Sequence, residues 1–84
     1  MSKFTLTINT PSGTKYQEHI NQVIIPGIDG ELGILLGHSK MISPTNTGKI
    51  IINPAKGSNT SFNLGPGIAH VEPNAVVICC DSCE

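Results

Sequence analysis

Eighty-four residues make one small domain with room for a single core, and an apolar fraction of 38% with a mean hydropathy of +0.07 belongs to a chain that folds rather than a disordered one. Five lysines, no arginine and six acidic residues give a formal net charge of −1, so there is no basic stripe to neutralise phosphates and no nucleic-acid partner is expected. The longest unbroken apolar run, Ala75 to Cys80, is short of the roughly 20 residues of a membrane helix, and MSKFTLTINT lacks a signal peptide's apolar core, so neither direct membrane insertion nor secretion by that route is expected.

The chain opens on alternation. Phe4, Leu6 and Ile8 interleave with Thr5, Thr7 and Asn9, the period of a strand with one buried face. Pro11-Ser12-Gly13 then turns the chain. Thr14 to Ile25 is the longest stretch free of both Gly and Pro, and it closes on Val23-Ile24-Ile25 before Pro26; β-branched residues there predict a strand over Tyr16 to Ile25 and leave helices almost nowhere to form. Further strands are predicted at Leu32 to Leu35, Ile50 to Ile52, Ser61 to Leu64, Ile68 to Glu72 and Ala75 to Cys80. Turn signals separate them at Asp29-Gly30, Thr47-Gly48, Lys56-Gly57-Ser58-Asn59, Gly65-Pro66-Gly67 and Pro73-Asn74. The last strand is apolar at every position, which predicts a central strand covered on both faces. The whole reads as one all-β domain over 1–84, an antiparallel sandwich or flattened barrel of about 8–10 short strands.

Catalytic chemistry is hard to place on this sequence. His19, His38 and His70 stand too far apart for a paired metal motif, so no metal site is expected. Cys79, Cys80 and Cys83 form an odd, clustered set with no disulfide framework, which fits a reducing compartment. Cys80-Asp81-Ser82-Cys83 is formally C-x-x-C, but no helix pattern follows it and no second cysteine pair exists. A redox or half-zinc reading therefore stands beside the plainer one, that Cys79 and Cys80 serve as small hydrophobes in a strand. Thr47-Gly48-Lys49 lacks the earlier glycine of a phosphate loop, Gly65-Pro66-Gly67 is followed by His70 where a dinucleotide motif needs glycine, and no G-x-S-x-G elbow occurs. No catalytic residue and no cofactor are expected.

Pro26 to His38 stands out for carrying four glycines: Gly27, Gly30, Gly33 and Gly37. Glycine serves where φ must be positive or another backbone comes close, so one reading is a set of tight turns between short strands. The other is a shaped, exposed loop that offers Glu31 and His38 to a partner, with the two residues flanking Leu32 to Gly37 along one rim.

From Val23 to Met41 the chain resembles the N-terminal domain of the epsilon subunit of F-type ATP synthases. Pro26-Gly27, Gly30-Glu31-Leu32-Gly33, Ile34-Leu35 and Gly37-His38 match that family's pattern in order and spacing, with Leu36 and Lys40 as departures. Gly48-Lys49-Ile50-Ile51-Ile52 resembles the family's next valine-rich strand. Gly65 to Asn74 and Val76 to Glu84 resemble its last two strands, with the cysteines replacing Leu and Ala. The resemblance implies a β-sandwich rotor part that binds the gamma subunit and touches the polar loops of the membrane c-ring. It also implies peripheral attachment on the cytoplasmic face of a bacterial energy-coupling membrane, or the equivalent organellar side. The residues implied for partner binding are Gly30, Glu31, Leu32, Gly33, His38 and Met41. The family usually continues into an inhibitory C-terminal helical hairpin. A chain ending at Glu84 is then expected to lack that inhibition, whether it is a naturally short member or the first domain of a longer one. The alternatives are a free-standing β-sandwich adaptor and a cysteine-based redox or zinc module.

Overall fold

Where glycine and proline interrupt the apolar alternation, the chain turns; between those points it is extended. The computed structural model describes residues 3–84, so the first two residues of the predicted domain lie outside the described residues. Eight strands carry the fold: β1 Phe4–Thr10, β2 Gly13–Gly27, β3 Gly30–Leu35, β4 Met41–Thr45, β5 Gly48–Pro54, β6 Thr60–Leu64, β7 Gly67–Glu72 and β8 Ala75–Cys80. No described residue is helical, and every predicted turn signal falls at a strand boundary.

β2 organises the molecule. Its 15 residues pair with β1 along the first half and lie between β3 and β5 along the second, and they touch β4 at Gly27↔Thr45. The strands run β1-β8-β7-β4-β2-β5-β6, with β3 on β2 and β1 also on β2, so the sheet folds back on itself as a flattened sandwich. β2 passes from one layer to the other at a bulge between Ile20 and Gln22, opposite Pro54 and Asn53. Bulges bend a strand and sharpen its twist. Here Asn21 is the extra residue, and its Nδ2 donates to the Pro54 carbonyl at 3.2 Å.

The core lies between the layers. One side supplies Phe4, Leu6, Ile8, Ala69, Val71, Val76, Ile78 and Cys80, and the other Ile20, Val23, Ile25, Ile34, Ile50, Ile52 and Leu64, all buried. Full burial of each large aliphatic contributes about 1.5–3 kcal/mol. Tyr16 and Phe62 close one margin in an edge-to-face contact at 5.6 Å. The C-terminal residues lie along β6: Asn63 N donates to the Glu84 carbonyl at 2.7 Å, Glu84 N to the Asn63 carbonyl at 2.9 Å, and Gly65 N to the Ser82 carbonyl at 2.9 Å. They cover a strand edge that β5 leaves open.

Several expectations need correction. β1 and β8 pair in parallel, because the chain returns to β1 only after crossing the whole domain; the other strand pairs are antiparallel. β8 does lie between β1 and β7, but only one face is covered: Val76, Ile78 and Cys80 are buried, whereas Ala75 and Val77 are half-buried and Cys79 is exposed. Cys79 is therefore not a core residue, although Cys80 is. β4 was not expected, since Met41-Ile42-Ser43-Pro44-Thr45 has weak alternation and a proline. Pro44 is tolerated because β4 is bonded along its length to β7 and reaches β2 only at its last residue, so that side is nearly a free edge.

Candidate partner-binding surface

The β2–β3 hairpin turns on Ile28 and Asp29, with Gly27 opposite Gly30, Pro26 opposite Glu31, Ile25 opposite Leu32 and Ile24 opposite Gly33. Gly30 sits at φ +122°, where an L side chain is strained, and a Cβ on Gly27 would lie 2.7 Å from the Gly30 carbonyl oxygen. The two glycines make the tight turn possible, and the turn lifts Ile28, Asp29, Gly30 and Glu31 into solvent. Neither carboxylate has a cationic partner among the described residues; the ion pair present is Lys40–Glu72 at 3.9 Å, on an exposed surface.

Gly30, Glu31, Leu32 and Met41, four of the six residues implied for partner binding, line one cleft of about 250 Å3 between the hairpin tip and β4, together with Ser43 and Pro44. Gly33 and His38 do not line it. Gly33 lies exposed in mid-β3 with open space where a Cβ would stand. Glu31 lies near the start of β3 and His38 follows its far end, so the extended strand separates them along the chain. His38 is fixed locally. Its ring Nδ1 donates to the Ser39 carbonyl at 2.8 Å and its backbone N–H to the Leu35 carbonyl at 3.2 Å, while Gly37 N donates to the Pro73 carbonyl at 2.7 Å. That tautomer leaves Nε2 as a hydrogen-bond acceptor.

Beside the cleft lies an apolar face that the strand reading missed. Ile42 is 69% exposed and Ile68 46% exposed. The register aligns Pro44, Ile68 and Cys79 across β4, β7 and β8, and beside them Ile42, His70 and Val77. These two neighbouring cross-strand rows present Ile42, Ile68 and Val77 outward, with the exposed His70 between Ile42 and Val77. The signal was present in Ala75 to Cys80, because a strand apolar at every position has an outer half, Ala75, Val77 and Cys79, that needs a cover.

Cys80 and Cys83 belong to packing, while Cys79 lies exposed on the outer face of β8. All three are free; Cys80 Sγ donates to the Ser82 carbonyl at 3.2 Å, and Cys83 packs against the core where it bridges Leu64. Burial raises the thiol pKa of both Cys80 and Cys83, the opposite of what activates a redox thiol. No group of three or more His, Cys, Asp or Glu able to hold a metal exists among the described residues.

Residues 3–84 match the family described as the ATP synthase delta/epsilon chain, beta-sandwich domain. The chain belongs to that family. It is similar to the ATP synthase epsilon chain of Sulfurovum sp., with 35% identity over 72 residues, which is 86% of this chain and 56% of that relative. The same fold occurs in the mitochondrial ATP synthase of Euglena gracilis, in a structure of its OSCP, F1 and c-ring, with a TM-score of 0.92 and 22% identity over 100% of this chain and 54% of the other. It also occurs in the central stalk and c-ring structure of the Tetrahymena thermophila mitochondrial ATP synthase, with a TM-score of 0.83 and 15% identity over 96% of this chain and 65% of the other. The chain thus spans little more than half the length of the epsilon chain it matches. Its delta/epsilon domain carries the hairpin, the cleft and the apolar face described above.

Proposed function

We propose that this chain is a non-catalytic rotor subunit in the central stalk of a proton-translocating F-type ATP synthase. In this reading the face built from Ile42, Pro44, Ile68, Val77 and Cys79 packs on the gamma subunit, and the hairpin tip at Asp29 to Glu31 meets the polar loops of the c-ring. The observation that carries it is the two outward rows on β4, β7 and β8, apolar at every position but His70. Apolar rows of this kind suit a partner of fixed position, whereas the polar tip can exchange contacts with a hydrated ring surface.

The mechanism is mechanical. A sandwich whose core is closed by β2 running through both layers transmits a lateral load without internal slip, and torque from proton flow passes from the ring through the hairpin and the apolar face to gamma. The family and the likeness to chains in stalk and c-ring assemblies support this position, which is peripheral to an energy-coupling membrane. The test is a binding measurement with gamma. Ile42→Asp together with Ile68→Asp should weaken the complex by about 30-fold or more, because a buried interface anchor is worth roughly 2 kcal/mol or above, while the folded spectrum stays unchanged. Undiminished binding by the folded double variant would remove the apolar face from the interface.

A further inference from the structure

A second concave site lies outside that surface, where the N-terminal half of β2 meets the β5–β6 loop. The cleft measures about 510 Å3, and the residues lining it include Lys3, Tyr16, Glu18, His19, Lys56 and Ser58. Two of the five lysines in a chain of net charge −1 therefore line one cavity, with a single carboxylate residue, Glu18, among its lining. The base of the loop is tied to β2: Ala55 N donates to the His19 carbonyl at 3.0 Å, and Asn21 Nδ2 to the Pro54 carbonyl at 3.2 Å. Past that point, the backbone N–H groups of Lys56, Gly57 and Ser58 donate to no backbone carbonyl among the described residues, and Gly57 turns the chain at φ +95°. A run of unused amides at a turn is a ready anion-binding concavity. His19 adds a donor. In the tautomer whose Nδ1 accepts from the Thr5 hydroxyl, 3.3 Å away, Nε2 carries the hydrogen. Tyr16 also lines the cavity, so an aromatic residue stands beside the lysines and the loop amides.

We propose that this cleft binds a small phosphomonoester, with the phosphate held by Lys3, Lys56 and the Lys56–Ser58 amides and its organic body against Tyr16. Lysine ammonium groups and backbone amides together give the charge-assisted hydrogen bonds that a phosphate dianion needs, and a loop base already fixed keeps the ordering cost low. The proposal is independent of the stalk assignment, since none of these residues lies on the surface given to gamma or to the ring.

The test is a two-dimensional amide NMR titration of the 84-residue chain at constant ionic strength, with inorganic phosphate and phenyl phosphate as probes and chloride as the reference. Saturable shifts confined to the β5–β6 loop and its neighbours on β2 are expected, with phenyl phosphate binding more tightly than phosphate. Lys3→Gln with Lys56→Gln should raise the Kd about tenfold or more, the ratio that loss of a charge-assisted contact corresponds to. Lys49→Gln, on exposed β5 away from the cleft, should leave it unchanged. Shifts that fail to saturate, equal affinity for the two probes, or an equal loss in Lys49→Gln would each overturn the proposal.

Discussion

At the scale of single residues, close backbone approach decides which positions tolerate change. A Cβ on Gly67 would collide with the Cys79 carbonyl oxygen and stand 2.7 Å from the Cys80 Cα, both backbone atoms at the end of the β7–β8 pair where Gly67 faces Cys80. Gly67→Ala should therefore cost about 1–3 kcal/mol in urea unfolding, whereas Gly33→Ala, with open space around it, should cost well under 1 kcal/mol. Equal midpoints for the two variants would mean that the β7–β8 pair yields easily. Thr45 is the opposite case. Its buried hydroxyl has no hydrogen-bond partner among the described residues, so Thr45→Val should stabilise the fold by about 1 kcal/mol, seen as a higher urea midpoint. The thiols set a pH limit. Burial raises the folded-state pKa of Cys80 and Cys83, so both favour the neutral form in the native protein. Their contribution is complete below the ordinary thiol value of 9.0 and is lost as the pH rises through the higher folded values. Thermal melts should fall above that pH, and Cys80→Ala with Cys83→Ala should flatten the decline; the same slope in the double variant would assign it to other groups, among them Tyr16, whose phenol is also raised by burial and by Glu18.

At the scale of elements, the hairpin tip is held by geometry more than by charge. Glu31 is exposed and unpaired among the described residues, so Glu31→Ala should change stalk assembly by only about 0–1 kcal/mol. Removing Asp29, Gly30 and Glu31 is different: it takes away the left-handed residue that lets Gly27 face Gly30 and shifts the β2–β3 register. Proton-coupled ATP synthesis by a complex rebuilt with that deletion should fall steeply while the Glu31→Ala complex stays near wild type; matched rates would show that the tip makes no contact that matters. Much of this element was legible in the sequence, because Val23 to Ile25, the Pro-Gly pair and Asp29-Gly30 each state one local requirement. β4 was not, since its exposed Ile42 and Pro44 depart from apolar-in, polar-out alternation and its pairing with β7 is purely tertiary. The same reason explains β8: six apolar residues looked like two covered faces because a sequence cannot say whether the cover comes from its own chain.

At the scale of the whole molecule, the described residues form eight strands joined by loops of at most five residues, in a body that measures 32 × 25 × 20 Å. Inhibition of hydrolysis from a position at the foot of a stalk needs an element that rises to the catalytic head, and a helix gains only about 1.5 Å per residue. The described residues contain no helix to do so, and Ser82 to Glu84, the residues after β8 and the isolated Asp81, are hydrogen-bonded along β6 rather than free to extend. Releasing them would reopen the β6 edge and uncover Cys83 from the core, so the fold itself opposes that movement. The 84-residue chain, added to a complex from which epsilon has been removed, should therefore restore coupling between proton flow and synthesis without lowering the rate of ATP hydrolysis. The measurement is hydrolysis against chain concentration, with gamma binding followed in parallel. A saturating fall in hydrolysis that tracks gamma binding would show that the sandwich alone brakes the rotor, and the separation of coupling from inhibition would have to be given up.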